Sequence, residues 1–154
     1  MDSNLITFHQ FSTMRTLGLL ETLTNEEWFP QPDGFANNIA WNVGHVLLVR
    51  QNLIFRNSGM ETGLEGLENM YKPGSSPADW ENQPDPGHLL ELYKTQSERL
   101  ISAVSANAFA DLSYPSFEIG GKPIKSLNDA ATFNLWHEGL HGGVIMSLKD
   151  AIKG

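Results

Sequence analysis

Cysteine is absent from the 154-residue sequence. Its absence excludes disulfides, thiolate nucleophiles and cysteine-ligated metals. Positive charge is scarce too: Lys and Arg number 10 against 18 Asp and Glu, a formal net charge of -8. The basic residues stand singly and form no patch. An acidic surface repels phosphate backbones and anionic lipid headgroups, so nucleic-acid and membrane-surface partners are not expected. Long hydrophobic runs are missing as well. The most apolar stretch, Ile39 to Leu48, is broken by Trp41-Asn42 and Gly44-His45, which leaves it too short and too polar to span a bilayer. The opening Met1-Asp2-Ser3-Asn4 has neither the basic region nor the apolar run of a secretory signal. A soluble, cytoplasmic protein is the expectation.

What is present is an ordinary globular mixture. Hydrophobic residues at 40% and charged residues at 18% exclude a disordered or fibrous chain. The length predicts a single domain over residues 1–154, large enough to bury a core.

Helical spacing dominates the pattern. Leu5, Phe8, Phe11, Met14, Leu17 and Leu20 predict a first helix from a cap at Ser3 to about Glu21. Thr24-Asn25-Glu26-Glu27 has the form of a capping box, with Pro30 stopping the turn. A second helix should run from Asn37 or Asn38 to about Arg56. It is apolar nearly all round, which predicts burial on most sides. Leu64, Leu67 and Met70 suggest a brief turn of helix, and Tyr71 to Pro77 reads as loop. Asp85-Pro86 opens a third helix to about Ser105, with Leu89, Leu92, Tyr93, Leu100 and Val104 inward. Phe117 to Ile124 predicts a small hairpin around Gly120-Gly121, with Pro123 on an edge strand. Ser126 followed by Asp129 caps a fourth helix to about Ile152. The expected fold is all-α, a four-helix bundle with a β-hairpin between helices three and four.

The chemistry concentrates in the fourth helix, at His137-Glu138-Gly139-Leu140-His141. Two histidines four apart stack on one helical face and can converge on one ion. Phe133, His137, Leu140, His141, Val144 and Leu148 share a stripe expected to face the core, where free imidazoles are costly unless paired or ligated. His45, set in the apolar second helix directly after Gly44, is the natural third ligand. Three histidines with an open fourth position form a catalytic type of metal site, in which a zinc-held water becomes acidic enough to ionise near pH ~7. Glu138, about 100 degrees around the helix from His137, is a candidate base. Asn134, one turn earlier, is a candidate supporting partner. Trp41 and Trp136 flank the histidines and are expected in the core, lining a pocket as well. His9 and His88 carry no expected role, and His9 has no evident partner.

The same letters spell the H-E-x-x-H of zincin peptidases. Such enzymes take a third ligand downstream, and residues 142–154 contain no His and no Glu, only Asp150. A peptidase is therefore a remote alternative.

Two segments carry a resemblance. Asn38-Ile39-Ala40-Trp41-Asn42-Val43-Gly44-His45-Val46 and His137-Glu138-Gly139-Leu140-His141-Gly142-Gly143-Val144-Ile145 resemble the second- and fourth-helix motifs of the DinB-like (YfiT/DinB) superfamily. The likeness implies an up-down-down-up bundle and a divalent metal, zinc or nickel, held by His45, His137 and His141. It also implies a homodimer. The activities implied are metal-dependent hydrolysis, or S-transfer of a low-molecular-weight thiol such as bacillithiol, mycothiol or glutathione to a small electrophilic substrate. Gly142 and Val144 depart from the family pattern, which often has a basic or histidine residue and a Gln there. The alternative is a non-catalytic, metal-stabilised bundle that binds a small molecule or a partner protein.

Overall fold

Asn38 sets the start of the central helix. Its backbone is extended and its side chain accepts a hydrogen bond from the Trp41 amide, the ordinary N-cap arrangement. From it runs α2, Ile39–Arg50, in which every residue except Val49 is buried. The helix then widens into a π-turn over Gln51–Phe55. The other long helices are α1, Ser3–Leu20, α3, Pro86–Ser105, and α4, Leu127–Lys153. The structure is a computed structural model and describes residues 3–56, 63–64, 66–105 and 114–154. The side chains of Ser3 and Val104, to which the sequence assigns a cap and an inward position, lie outside the described residues. Ser126 caps α4 by accepting from the Asp129 amide. Single helical turns at Asn25–Trp28, Glu68–Tyr71 and Pro77–Asp79 punctuate the connectors. Strands β1, Phe117–Ile119, and β2, Lys122–Ile124, pair antiparallel. Gly120 and Gly121 between them both take positive φ, as a tight hairpin turn of primed type requires.

Side-chain contacts give the directions of the helices. His9 of α1 meets Ala131 of α4, and Thr22, just past α1, meets Lys149 near the far end of α4. These two helices run parallel. Asn42 pairs with His141 and Arg50 with Glu138, so α2 runs against α4. Lys94 of α3 reaches Glu21, and along α3 Leu89 and Tyr93 join the core around Val43 while Leu100 joins the one around Leu53. Hence α3 runs with α2 and against α1. The order is up-down-down-up. Each of α1 and α2 packs on both α3 and α4, so α1 lies diagonal to α2 and α3 diagonal to α4.

The core has two parts. One gathers Trp28, Trp41, Leu47, Tyr71, Leu89 and Tyr93; the other gathers Leu53, Ile54, Phe55, Leu100, Ile124 and Ala130. Along α2 the first ends at Leu48 and the second begins at Leu53, with Arg50 and Gln51 buried between them.

Two expectations change. Trp136 and Leu140 are 61% and 51% exposed rather than in the core. The arcs of α4 facing α2, with His137 and His141, and facing α1, with Ala131 and Gly142, leave these two on the remaining arc. Phe8, Phe11 and Met14 share the helical spacing of α1 and yet are exposed. Among the described residues, no helix is long and apolar enough to cross a membrane.

Candidate metal centre

The three histidines meet between α2 and α4. One ligand atom from each of His45, His137 and His141 lies within 4.8 Å of the other two. The Nε2 atoms of His45 and His137 are 3.2 Å apart. Two nitrogens on one tetrahedral zinc, each at 2.0–2.1 Å from it, stand about 3.3 Å apart. The spacing of these nitrogens therefore fits one ion.

The tautomers fit as well. His45 Nδ1–H donates to the Tyr71 carbonyl at 2.7 Å, which leaves the Nε2 lone pair free to bind an ion. His141 Nδ1–H donates to Asn42 Oδ1 at 2.8 Å. The Asn42 amide is itself oriented by donating Nδ2–H to the Asn38 carbonyl at 2.8 Å. Hydrogen bonds of this kind fix the ring orientation of metal-ligating histidines. His137 Nδ1 is buried without a partner, and its ring lies nearly parallel to Phe133 at 6.0 Å. A buried polar atom left unpaired is costly, and an ion shared by the three rings at Nε2 leaves that cost at Nδ1 in place.

Electrostatics keep the trio neutral. Burial, then repulsion from His141 and His45, pushes the His137 pKa down to about 3. Burial, with His45 second, lowers His141 to about 4. His45 is lowered mainly by burial, against the opposing pull of the Tyr71 carbonyl. At neutral pH all three offer lone pairs, the form that binds metal.

Trp41 walls the site. Its ring stacks on His45, with centroids 4.7 Å apart and planes within 9°. Its indole N–H donates to Ser75 Oγ at 2.9 Å. Trp136 takes no part in that wall; it packs on Phe133 at the surface.

Glu138 turns elsewhere. Its Oε1 accepts from Arg50 Nη2 at 2.6 Å and Nε at 2.9 Å, and from Asn134 Nδ2 at 2.6 Å. The Arg50 and Glu138 side chains are 1% and 0% exposed. Arg50 also donates to Ser97 Oγ at 2.9 Å and lies over the Tyr93 ring at 4.9 Å. Burial pushes the Arg50 pKa down most strongly; the Glu138 charge, Tyr93 and the hydrogen bonds to both together outweigh it and hold the guanidinium above its ordinary value. Glu138 thus ties α4 to α2, and Asn134 supports Glu138 rather than the histidines. With the third histidine upstream, on α2, and this glutamate bound to arginine, the geometry lends nothing to a zincin site.

Sequence reasoning missed Arg50, Asn42 and Tyr71. A charge at the end of an apolar helix was the available signal for Arg50. Nothing in the pattern pointed to Tyr71, which acts through its main chain. His9 does have a partner: it is buried, with Nε2 3.0 Å from the Ala131 carbonyl.

The chain matches the DinB superfamily over residues 9–145. No curated protein matches it.

Proposed function

The chain belongs to the DinB superfamily, and from that premise and the three converging imidazoles we propose a metal-dependent protein that binds a divalent ion, zinc or nickel, through His45, His137 and His141. The observation that carries this is the meeting of three neutral imidazoles from two helices, His45 and His137 buried and His141 half-buried. When bound, the ion supplies Lewis acidity that makes water or a thiol a competent nucleophile at neutral pH. On this reading the protein is a hydrolase or a low-molecular-weight-thiol S-transferase acting on a small electrophile.

The chain's own residues then have defined tasks. Asn42 and the Tyr71 carbonyl orient His141 and His45. Trp41 covers one side of His45 and excludes water there. Glu138, neutralised by Arg50 and supported by Asn134, holds α4 against α2 so that the rings face one another.

The direct test is elemental analysis of purified protein beside a His137→Ala/His141→Ala variant. We expect about one metal ion per wild-type chain and none in the variant; equal content in both overturns the proposal. The burial of His45 and His137, each 7% exposed, favours a second reading, in which the ion stabilises a bundle without catalysis. A turnover screen with thiols and electrophiles separates the two, because a scaffold shows no thiol-dependent product.

A further inference from the structure

We propose that Gly44 and Tyr71 act as a positioning pair for the metal centre: the bare backbone at Gly44 seats the Tyr71 ring, and the seated residue holds its carbonyl on His45 Nδ1, fixing the tautomer that offers Nε2 to the ion. The inference rests on the metal-binding reading above and adds the device that sets its affinity.

The geometry begins with space. Gly44 lies inside α2 with an ordinary helical backbone, so nothing about its φ calls for glycine. What calls for it is contact. A Cβ built at Gly44 would penetrate the van der Waals envelope of Tyr71 Cδ1, Cε1 and Cγ. The ring therefore lies flush against the helix backbone. Tyr71 is fully buried at 0% exposure, yet its hydroxyl has no hydrogen-bond partner. Ring packing, not the hydroxyl, keeps the residue in place.

The neighbours of Tyr71 make it a strap rather than a lone side chain. Trp80 meets its ring edge-on at 6.0 Å and donates its indole N–H to the Met70 carbonyl at 3.2 Å. Ser75 Oγ donates to the Met70 carbonyl at 2.9 Å and accepts from Trp41, which stacks on His45. The segment from Met70 to Trp80 thus grips His45 twice, through the Tyr71 carbonyl and through Trp41. Partners on the non-ligating nitrogen of a metal-binding histidine contribute 10–100-fold to affinity as a rule. Replacing glycine by alanine inside a helix ordinarily stabilises the helix. A loss of metal binding on Gly44→Ala therefore runs against the helix effect and reports the strap.

Two measurements on the full chain test this. Zinc affinity is read by competition with a chromophoric chelator. The His45 tautomer in chelator-treated protein is read from imidazole nitrogen chemical shifts. Gly44→Ala should weaken zinc binding roughly 10–100-fold and abolish the Nδ1–H signature at His45. Tyr71→Phe, which keeps the ring and the carbonyl, should behave as wild type in both. A folded Gly44→Ala protein with wild-type affinity and an intact Nδ1–H overturns the proposal and leaves the metal site standing. Should Gly44→Ala fail to fold, Tyr71→Leu decides: it removes the ring without adding bulk, and unchanged affinity overturns the proposal. A wild-type protein that takes up no zinc or nickel overturns both this inference and the metal reading.

Discussion

Four histidines are less basic in the folded chain than in the unfolded one. His9, His45, His137 and His141 all have lowered pKa values, with burial the first cause in each. Above the unfolded value of about 6.5 both states are neutral, and the full contribution is present. As pH falls through that value, the unfolded chain binds protons that the folded chain refuses, so stability drops. The loss continues until the folded residues protonate, near pH 3 for His137. Metal-free protein should therefore melt at progressively lower temperature from pH 6.5 to 4, each histidine adding up to about 1.4 kcal/mol per pH unit. Melting curves in a chelating buffer check this, and a flat profile contradicts it. The Arg50–Glu138 pair gives a second expectation at this scale. Glu138→Ala leaves a buried guanidinium without its counter-charge and should cost about 3–5 kcal/mol. Arg50→Met with Glu138→Leu should recover most of that loss, measured by urea denaturation. The pairing of histidines 137 and 141 was legible in sequence, because spacing of four on a helix dictates adjacency. The destination of Glu138 was not, because it depends on which arc of α4 faces Arg50, and a single helix cannot show its neighbours.

Among the elements, end signals were the most legible. Asp85-Pro86 and Ser126 mark the starts of α3 and α4 as expected, and Gly120-Gly121 marks the hairpin. These features act locally, through a cap or a turn, so sequence suffices to read them. The exposure of Trp136 and Leu140 was not legible in sequence, because a helix at a bundle corner touches two neighbours and leaves an arc bare whatever its residues. Asn38 offers a test of this local logic. Besides capping α2, its side chain donates to the Phe29 carbonyl at 3.2 Å, joining the preceding loop to the helix. Asn38→Ala should destabilise the protein by about 1 kcal/mol, with Asn38→Asp retaining the cap. Chemical denaturation of the two variants side by side measures it.

At the scale of the molecule, the histidines link α2 to α4, which run antiparallel and lie far apart in sequence. An ion binding only the folded state raises stability by about 2.7 kcal/mol at a concentration 100 times its dissociation constant. We expect zinc or nickel to raise the melting temperature of wild type and not of His137→Ala/His141→Ala. The six large exposed apolar side chains of the described residues all lie on α1 and α4: Phe8, Phe11, Met14, Trp136, Leu140 and Met146. A groove of about 410 Å³ runs between these helices, lined in part by Phe8, Phe11, Leu19, Leu135 and Met146. Of the six, Phe8, Phe11 and Met146 line this groove; exposed apolar surface of this kind marks an interaction face, and we propose that two copies associate there. Light scattering should return twice 17.1 kDa for wild type and the single-chain mass for Phe11→Glu.

The π-turn over Gln51–Phe55 has one more consequence. Such a bulge is the trace left when a helix absorbs an extra amino acid without turning the residues on either side out of register. Excising Asn52, which is exposed at the surface, should restore regular winding while His45 and Leu53 keep their faces. A one-residue deletion inside a buried helix, ordinarily ruinous, should here give a folded chain that still takes up metal.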